Sequence, residues 1–148
     1  METQNKTIGK IKLVKTKELN GPDGKTVKLI IDFVQFAADF LKLTDKDIKI
    51  RLMHAAPKEP ITTGAYEPTT KIISTIVQNR HFIDYCRTIS HEMTHMKQDY
   101  DGEVESENQE IGGKIEDTAN AISGQIVKSY LKNHLKPEQK RFLGLGMY

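Results

Sequence analysis

A single cysteine, Cys86, stands among the 148 residues of the chain. One thiol excludes an internal disulfide framework and any zinc site built from several cysteines, and it makes a reducing compartment the default. Long apolar runs are also missing. No stretch reaches the roughly 18 residues of a membrane span, so no membrane association is expected. The opening Met1-Glu2-Thr3-Gln4-Asn5-Lys6 lacks the apolar core of a secretory signal. A cytoplasmic location is expected, with residues 1–7 as a frayed terminus. Charge of one sign does not dominate either: 22 Lys/Arg oppose 20 Asp/Glu, a net +2. The N-terminal bases are interspersed with acids, which argues against the single basic face of a nucleic-acid binder. Internal repeats and low-complexity tracts are absent.

What remains is the composition of a globular chain, 37% hydrophobic and 28% charged, with a mean hydropathy of −0.52. The length suits one domain spanning 1–148. Ile8 to Val14 alternates loosely, as a strand does. Asn20-Gly21-Pro22-Asp23-Gly24 is a turn signal. Val27, Ile30, Ile31, Val34, Ala37, Ala38 and Leu41 then recur at helical spacing. Phe33, Phe36 and Phe40 widen that face, so the helix is expected to be largely buried. Asp47 to His54 alternates as a half-buried strand. Residues 57–68 read as a proline-bracketed loop, and Lys71 to Val77, rich in β-branched residues, as another strand.

From Phe82 to Gln98 the period becomes helical again through Phe82, Cys86, Ile89, Met93 and Met96. Cys86 falls on this apolar stripe and reads as core. The stretch 99–110 is acidic and reads as a solvated loop. A further helix follows Gly112-Gly113, with a stripe of Ile111, Ile115, Ala119, Ile122, Ile126 and Tyr130. Pro137 opens a short terminal helix that fades at Gly144 and Gly146. Strand, helix, strand, strand, helix, helix, helix is an α+β order.

The chemistry concentrates in His91-Glu92-Met93-Thr94-His95, an HExxH inside the second long helix. Residues i and i+4 differ by about 40° around a helix, so both imidazoles leave one face and can share a zinc ion. Glu92, next to the first histidine, is poorly placed as a ligand but can reach a water at the ion and take its proton. A hydrolytic zinc site needs a third protein ligand. Glu116, 21 residues after His95, opens the next helix and shares a face with Asn120 and Ser123. Gly24-Lys25-Thr26 has the ending of a phosphate-binding loop, but position 19 is Leu where that motif needs Gly.

HExxH followed by Glu116-Asp117-Thr118-Ala119-Asn120 resembles the gluzincin metallopeptidases in their minimal single-domain forms. The resemblance extends through Gly64-Ala65-Tyr66-Glu67-Pro68, Lys71-Ile72-Ile73, Arg80-His81, Asp84, Arg87-Thr88-Ile89-Ser90 and Met96-Lys97-Gln98. Over about 62–127 this string is similar to small metallopeptidases of tailed bacteriophages. The resemblance implies a compact α+β fold, with a small twisted sheet packed on helices. It implies His91, His95 and Glu116 as ligands of zinc, Glu92 as general base, and Asn120 as the residue that orients a ligating imidazole. It also implies an edge strand that pairs with substrate, for which Lys71, Ile72, Ile73, Ser74 and Thr75 are the candidates. Larger gluzincins add a His or Tyr that stabilises the oxyanion; Tyr66 and His81 are the candidates here. Arg80 and Arg87 are candidate ion-pair partners of Asp84 or of an acid on the next helix, and Arg87, three residues after Asp84, reads as an ordinary i,i+3 pair.

The expected function is zinc-dependent hydrolysis of a peptide bond in a peptide or protein substrate. The alternative is a zinc-stabilised, non-catalytic virion, assembly or host-interaction module. A fourth zinc position left open suits the first, and a closed shell of four ligands suits the second. For a phage-encoded chain the site of action is the infected cytoplasm or the virion.

Overall fold

The structure is a computed structural model that describes residues 9–16, 19, 21–54, 63–103 and 113–145. Ile8, Asn20, Gly112, Gly146 and most of the acidic stretch 99–110 fall outside them. The order is β1 (Ile11–Lys15), α1 (Gly24–Leu41), β2 (Ile48–Met53), β3 (Gly64–Glu67), β4 (Ile72–Ile76), α2 (Phe82–Tyr100), α3 (Lys114–Ser129) and α4 (Pro137–Phe142). A π-helical turn, Tyr130–His134, continues α3. This is an α+β arrangement. No helix among the described residues is long and apolar enough to cross a membrane.

The strands form one sheet in the order β1-β2-β4-β3. β1 and β2 run parallel, joined by the crossover helix that parallel pairing requires. β2 and β4 are also parallel, and β3 returns antiparallel to β4. Burial alternates along β2 and β4: Ile48, Ile50, Leu52, Ile73 and Thr75 are buried, while Lys49, Arg51 and Ser74 are partly exposed. One face of the sheet is therefore covered by helices and the other looks outward.

Asp23 stops the turn and starts α1, its Oδ1 accepting from the Thr26 amide at 2.8 Å. Leu29, Ile30, Phe33, Val34, Ala37, Ala38 and Leu41 are the buried face. Phe40 is not part of it; at 42% exposed it lies on the solvent side. Along α2 the expected stripe of Phe82, Cys86, Ile89, Met93 and Met96 is buried. Along α3, Ala119, Ile126 and Val127 are buried, as is Tyr130 just beyond it. Tyr130 packs edge-on against Phe33, its hydroxyl donating to Asp32 at 2.8 Å, which fastens the end of α3 to α1.

Two expectations change here. Gly64–Glu67, expected to be loop, is a strand. Lys71–Thr75 is not the substrate-facing edge either, because β4 is internal, with β2 on one side and β3 on the other. Among the described residues, the edge on that side of the sheet is β3. The hairpin turn between them closes through Lys71 N–H donating to Glu67 C=O at 2.7 Å, with Lys71 at φ 62°.

Candidate metal centre

The polar positions of α2 fall on a stripe beside its buried one. Asp84, Arg87, Thr88, His91, Glu92 and His95 each lie three or four residues from another of the set, so they share one side of the helix. α3 crosses this side with Glu116 in its first turn, where the helix dipole favours a carboxylate. The two helices deliver three donors to one place. His91 Nε2 lies 3.1 Å from Glu116 Oε1, and His95 Nε2 lies 2.9 Å from Glu116 Oε2. The ligand atoms all fall within 4.8 Å of one another.

The His95 ring has a second partner. His95 Nδ1 lies 2.8 Å from Gln98 Oε1. The Gln98 amide is oriented by its own donation, Nε2 to the Ile115 carbonyl at 3.2 Å, so its oxygen is the atom that faces the imidazole. The Asn120 side chain lines the same cleft and acts on His91 in the sense that favours a protonated ring. His95 has an acceptor at each ring nitrogen, Gln98 at Nδ1 and Glu116 at Nε2, and His91 has Glu116 at Nε2. A neutral imidazole donates one proton, so His95 would turn a lone pair on one of its two oxygens. Charging both rings is opposed: burial lowers the pKa of His91, and the neighbouring His95 lowers it further, against Glu116 and Asn120.

A divalent cation held by His91, His95 and Glu116 would resolve that conflict, with His95 Nδ1–H donating to Gln98. Zinc with ligand bonds of about 2.0–2.2 Å sets tetrahedral ligand atoms about 3.3 Å apart; the two histidine–carboxylate contacts, made to different oxygens at 3.1 and 2.9 Å, lie near that, and the donor set as a whole spans up to 4.8 Å. The donor set fits zinc, with two nitrogens and one oxygen.

Glu92 is nearly buried, at 9% exposed. Burial pushes its carboxyl up to about 7, with His95 pulling down and Glu116 pushing up. A dication alongside would draw it back down. Directly over Glu92 lies β3. A Cβ built on Gly64 would stand 2.3 Å from Thr88 Cγ2, 3.1 Å from the Ser74 carbonyl oxygen and 3.6 Å from Glu92 Cγ. Glycine is what lets the edge strand come down onto the helix. Beside the strand a cleft of about 850 Å³ runs along α2, with Gly64, Arg80, Arg87, His91, Glu92 and Glu116 in its walls.

His91, Glu92, His95, Glu116 and Asn120 come together as the sequence suggests. Tyr66 and His81 do not join them. The Tyr66 hydroxyl donates to Asp99 Oδ2 at 2.5 Å, beside the Lys71 ammonium at 2.7 Å from the same oxygen. His81 caps α2: its Nδ1 accepts from Ile83 N–H at 3.1 Å, and its Nε2 meets the Leu143 carbonyl, also at 3.1 Å. That position is ten residues before His91, roughly 15 Å along the helix axis. Neither residue lines the cleft. Arg80 and Arg87 make no ion pair with Asp84 either. Arg80 instead donates to the Ile76 and Asp84 carbonyls and to Thr88 Oγ1.

Gln98 and Gly64 are the parts that sequence reasoning does not single out as site residues. Gln98 has a legible signal, a polar residue at i+3 from a ligating histidine. Gly64 has none, because only the packing of β3 on α2 shows its use. Comparisons of the chain with protein-family models, with curated proteins and with solved structures return no match.

Proposed function

We propose that the chain is a zinc-dependent peptidase of gluzincin type, with His91, His95 and Glu116 holding the ion. The observation that carries this is the pair of imidazoles closed by one carboxylate, His95 facing an acceptor at both ring nitrogens, with a nearly buried Glu92 beside them in an open cleft. Zinc held there would supply a Lewis acid for a carbonyl and would acidify a water molecule. Glu92 is the base within reach. It takes the water's proton on its carboxylate and returns it to the departing amine, which a carboxyl in a low-dielectric site can do in both directions. Gln98 and Asn120 hold the imidazoles with their Nε2 atoms aimed inward. The edge strand β3 supports a peptide as substrate, since an extended chain can lie along it and add one more strand to the sheet.

The withdrawal of Tyr66 and His81 favours a second reading, in which zinc ties α2 to α3 in a virion, assembly or host-interaction module. Elemental mass spectrometry on purified protein, followed by a peptide-library screen, separates the two. About one zinc per wild-type chain, lost in His95→Ala and Glu116→Ala, supports the ligand set. Cleavage by wild type that disappears in a zinc-replete Glu92→Gln supports the peptidase. A Glu92→Gln protein that cleaves undiminished removes Glu92 from the role.

A further inference from the structure

The cleft does not stop at the candidate zinc site. Its wall continues toward the start of α2, where it carries two guanidinium groups. Arg80 is half-buried and, among the described residues, satisfied by neutral oxygens: Ile76 C=O at 2.8 Å, Thr88 Oγ1 at 2.9 Å and Asp84 C=O at 3.1 Å. Burial lowers its pKa, opposed by the Asp84 charge, and burial outweighs that charge. Three oxygens fix the plane of this guanidinium and leave two of its five N–H donors unused. Arg87 is exposed and, among the described residues, its side chain has no hydrogen-bond or ion-pair partner. Asp84 lies in the same wall but within ion-pair distance of neither arginine, so this stretch holds two positive charges against one negative.

A fixed guanidinium with spare donors and a second, exposed one facing the same channel are the parts of a carboxylate clamp. We infer that this half of the cleft is a subsite for a substrate carboxylate, gripped by Arg80 and Arg87. The chemistry is shared by an Asp or Glu side chain and by a free C-terminal carboxylate. The inference rests on the peptidase reading for its register. Arg87 stands one turn before His91, about 6 Å along the axis. An extended peptide advances about 3.3 Å per residue, so the carboxylate belongs to a residue about two positions from the bond to be cut.

The test measures binding, so that it does not depend on turnover. Glu92→Gln protein is titrated against randomised, end-blocked octapeptides bearing a neutral dye, with Glu or Gln fixed at each position in turn. A parallel set carries a free C-terminal carboxylate and no acidic side chain. Glu should bind about tenfold more tightly than Gln at one position, or the free-terminus set about tenfold more tightly than its amide. Either result supports the subsite, and which of them occurs names the source of the carboxylate. The preference should survive EDTA, should fall to near unity in Arg87→Gln, and should turn toward Lys in Arg87→Glu. Among the described residues Arg87 has no side-chain partner whose loss would unfold the chain. Equal binding at every position, no binding by any carboxylate-bearing set, a ratio unmoved by Arg87→Gln, or a ratio abolished by EDTA overturns the proposal; the last would mean that the ion itself held the carboxylate. If wild type cleaves nothing while the preference stands, the peptidase reading fails and the subsite remains. Cleavage with no such preference means the reverse: the peptidase stands and the subsite fails.

Discussion

Replacing Gln98 by Leu tests whether the imidazoles are held in place for a metal. The residue is 4% exposed and touches both halves of the site: His95 Nδ1 at 2.8 Å and the Ile115 carbonyl, next to Glu116, at 3.2 Å. Leucine fills nearly the same volume and removes both contacts. Groups that orient a ligating histidine typically contribute about 10–100-fold in metal affinity, about 1.4–2.7 kcal/mol. The metal-free fold should lose less. The Ile115 carbonyl keeps its helical bond from Ala119, so losing the Gln98 donation costs about 0.5–1.5 kcal/mol, and the added apolar burial of Leu offsets about 1 kcal/mol. Gln98→Glu separates the two contacts, because its carboxylate accepts from His95 Nδ1 more strongly than the amide does but cannot donate to Ile115. Competition against a chromophoric zinc chelator should therefore rank Gln98→Glu near wild type and Gln98→Leu at least about tenfold weaker. Long-range proton–nitrogen correlation of the His95 ring should show a proton on Nδ1 in wild type. A Leu variant within about twofold of wild type would refute the argument that this amide sets the tautomer.

Three further outcomes follow from the same structure. Gly64→Ala places a methyl 2.3 Å from Thr88 Cγ2 and should cost about 1–3 kcal/mol in urea unfolding; adding Thr88→Ser, which removes that methyl and keeps the hydroxyl on Arg80, should recover part of it, and an Ala variant as stable as wild type would contradict the close packing of β3. EDTA added to protein held at about a thousand times its zinc Kd should remove about 4 kcal/mol, roughly 8–16 °C in Tm, with no effect on His95→Ala; a wild-type Tm indifferent to chelation would count against a zinc that ties α2 to α3. Desolvation raises the Asp99 carboxyl, but the bonds from Lys71 and Tyr66 outweigh it and hold the pKa below the ordinary carboxylate value. The stability this gives is complete above that ordinary value and is lost as the pH falls through the depressed one, so Asp99→Asn should flatten the acid side of a Tm–pH profile and leave the neutral side parallel to wild type.

The residues legible in the sequence are those whose position depends on helical spacing alone. His91 and His95 share a face because four residues make little more than one turn, and Phe82, Cys86, Ile89, Met93 and Met96 are buried for the same reason. Glu116 and Asn120 need one further step, the packing of α3 on α2, which the small buried Ala119 permits. β3 is illegible because the usual strand signal is an apolar face. Four residues, Gly-Ala-Tyr-Glu, lie at a sheet edge, and the one that meets α2 beside Glu92 does so by having no side chain. Without β3 in view, β4 takes its place as the expected edge.

Tyr66 and His81 mislead in the opposite way, when residue chemistry is considered without its competitors. A tyrosine and a histidine near an HExxH can each donate to an oxyanion only if nothing nearer claims them. Asp99 lies within reach of the Tyr66 hydroxyl, and Lys71 fixes that carboxylate in place. The helix that carries the motif also needs a cap, and His81 supplies it with Nδ1 while Nε2 ties down Leu143. Both side chains are spent on holding the two ends of α2. Gln98 shows the same rule working the other way. Its amide has two partners, the ring of a candidate ligand and the backbone beside another, and no competitor for either among the described residues. A polar side chain near a site belongs to that site when its nearest partners do, and those partners are set by tertiary packing.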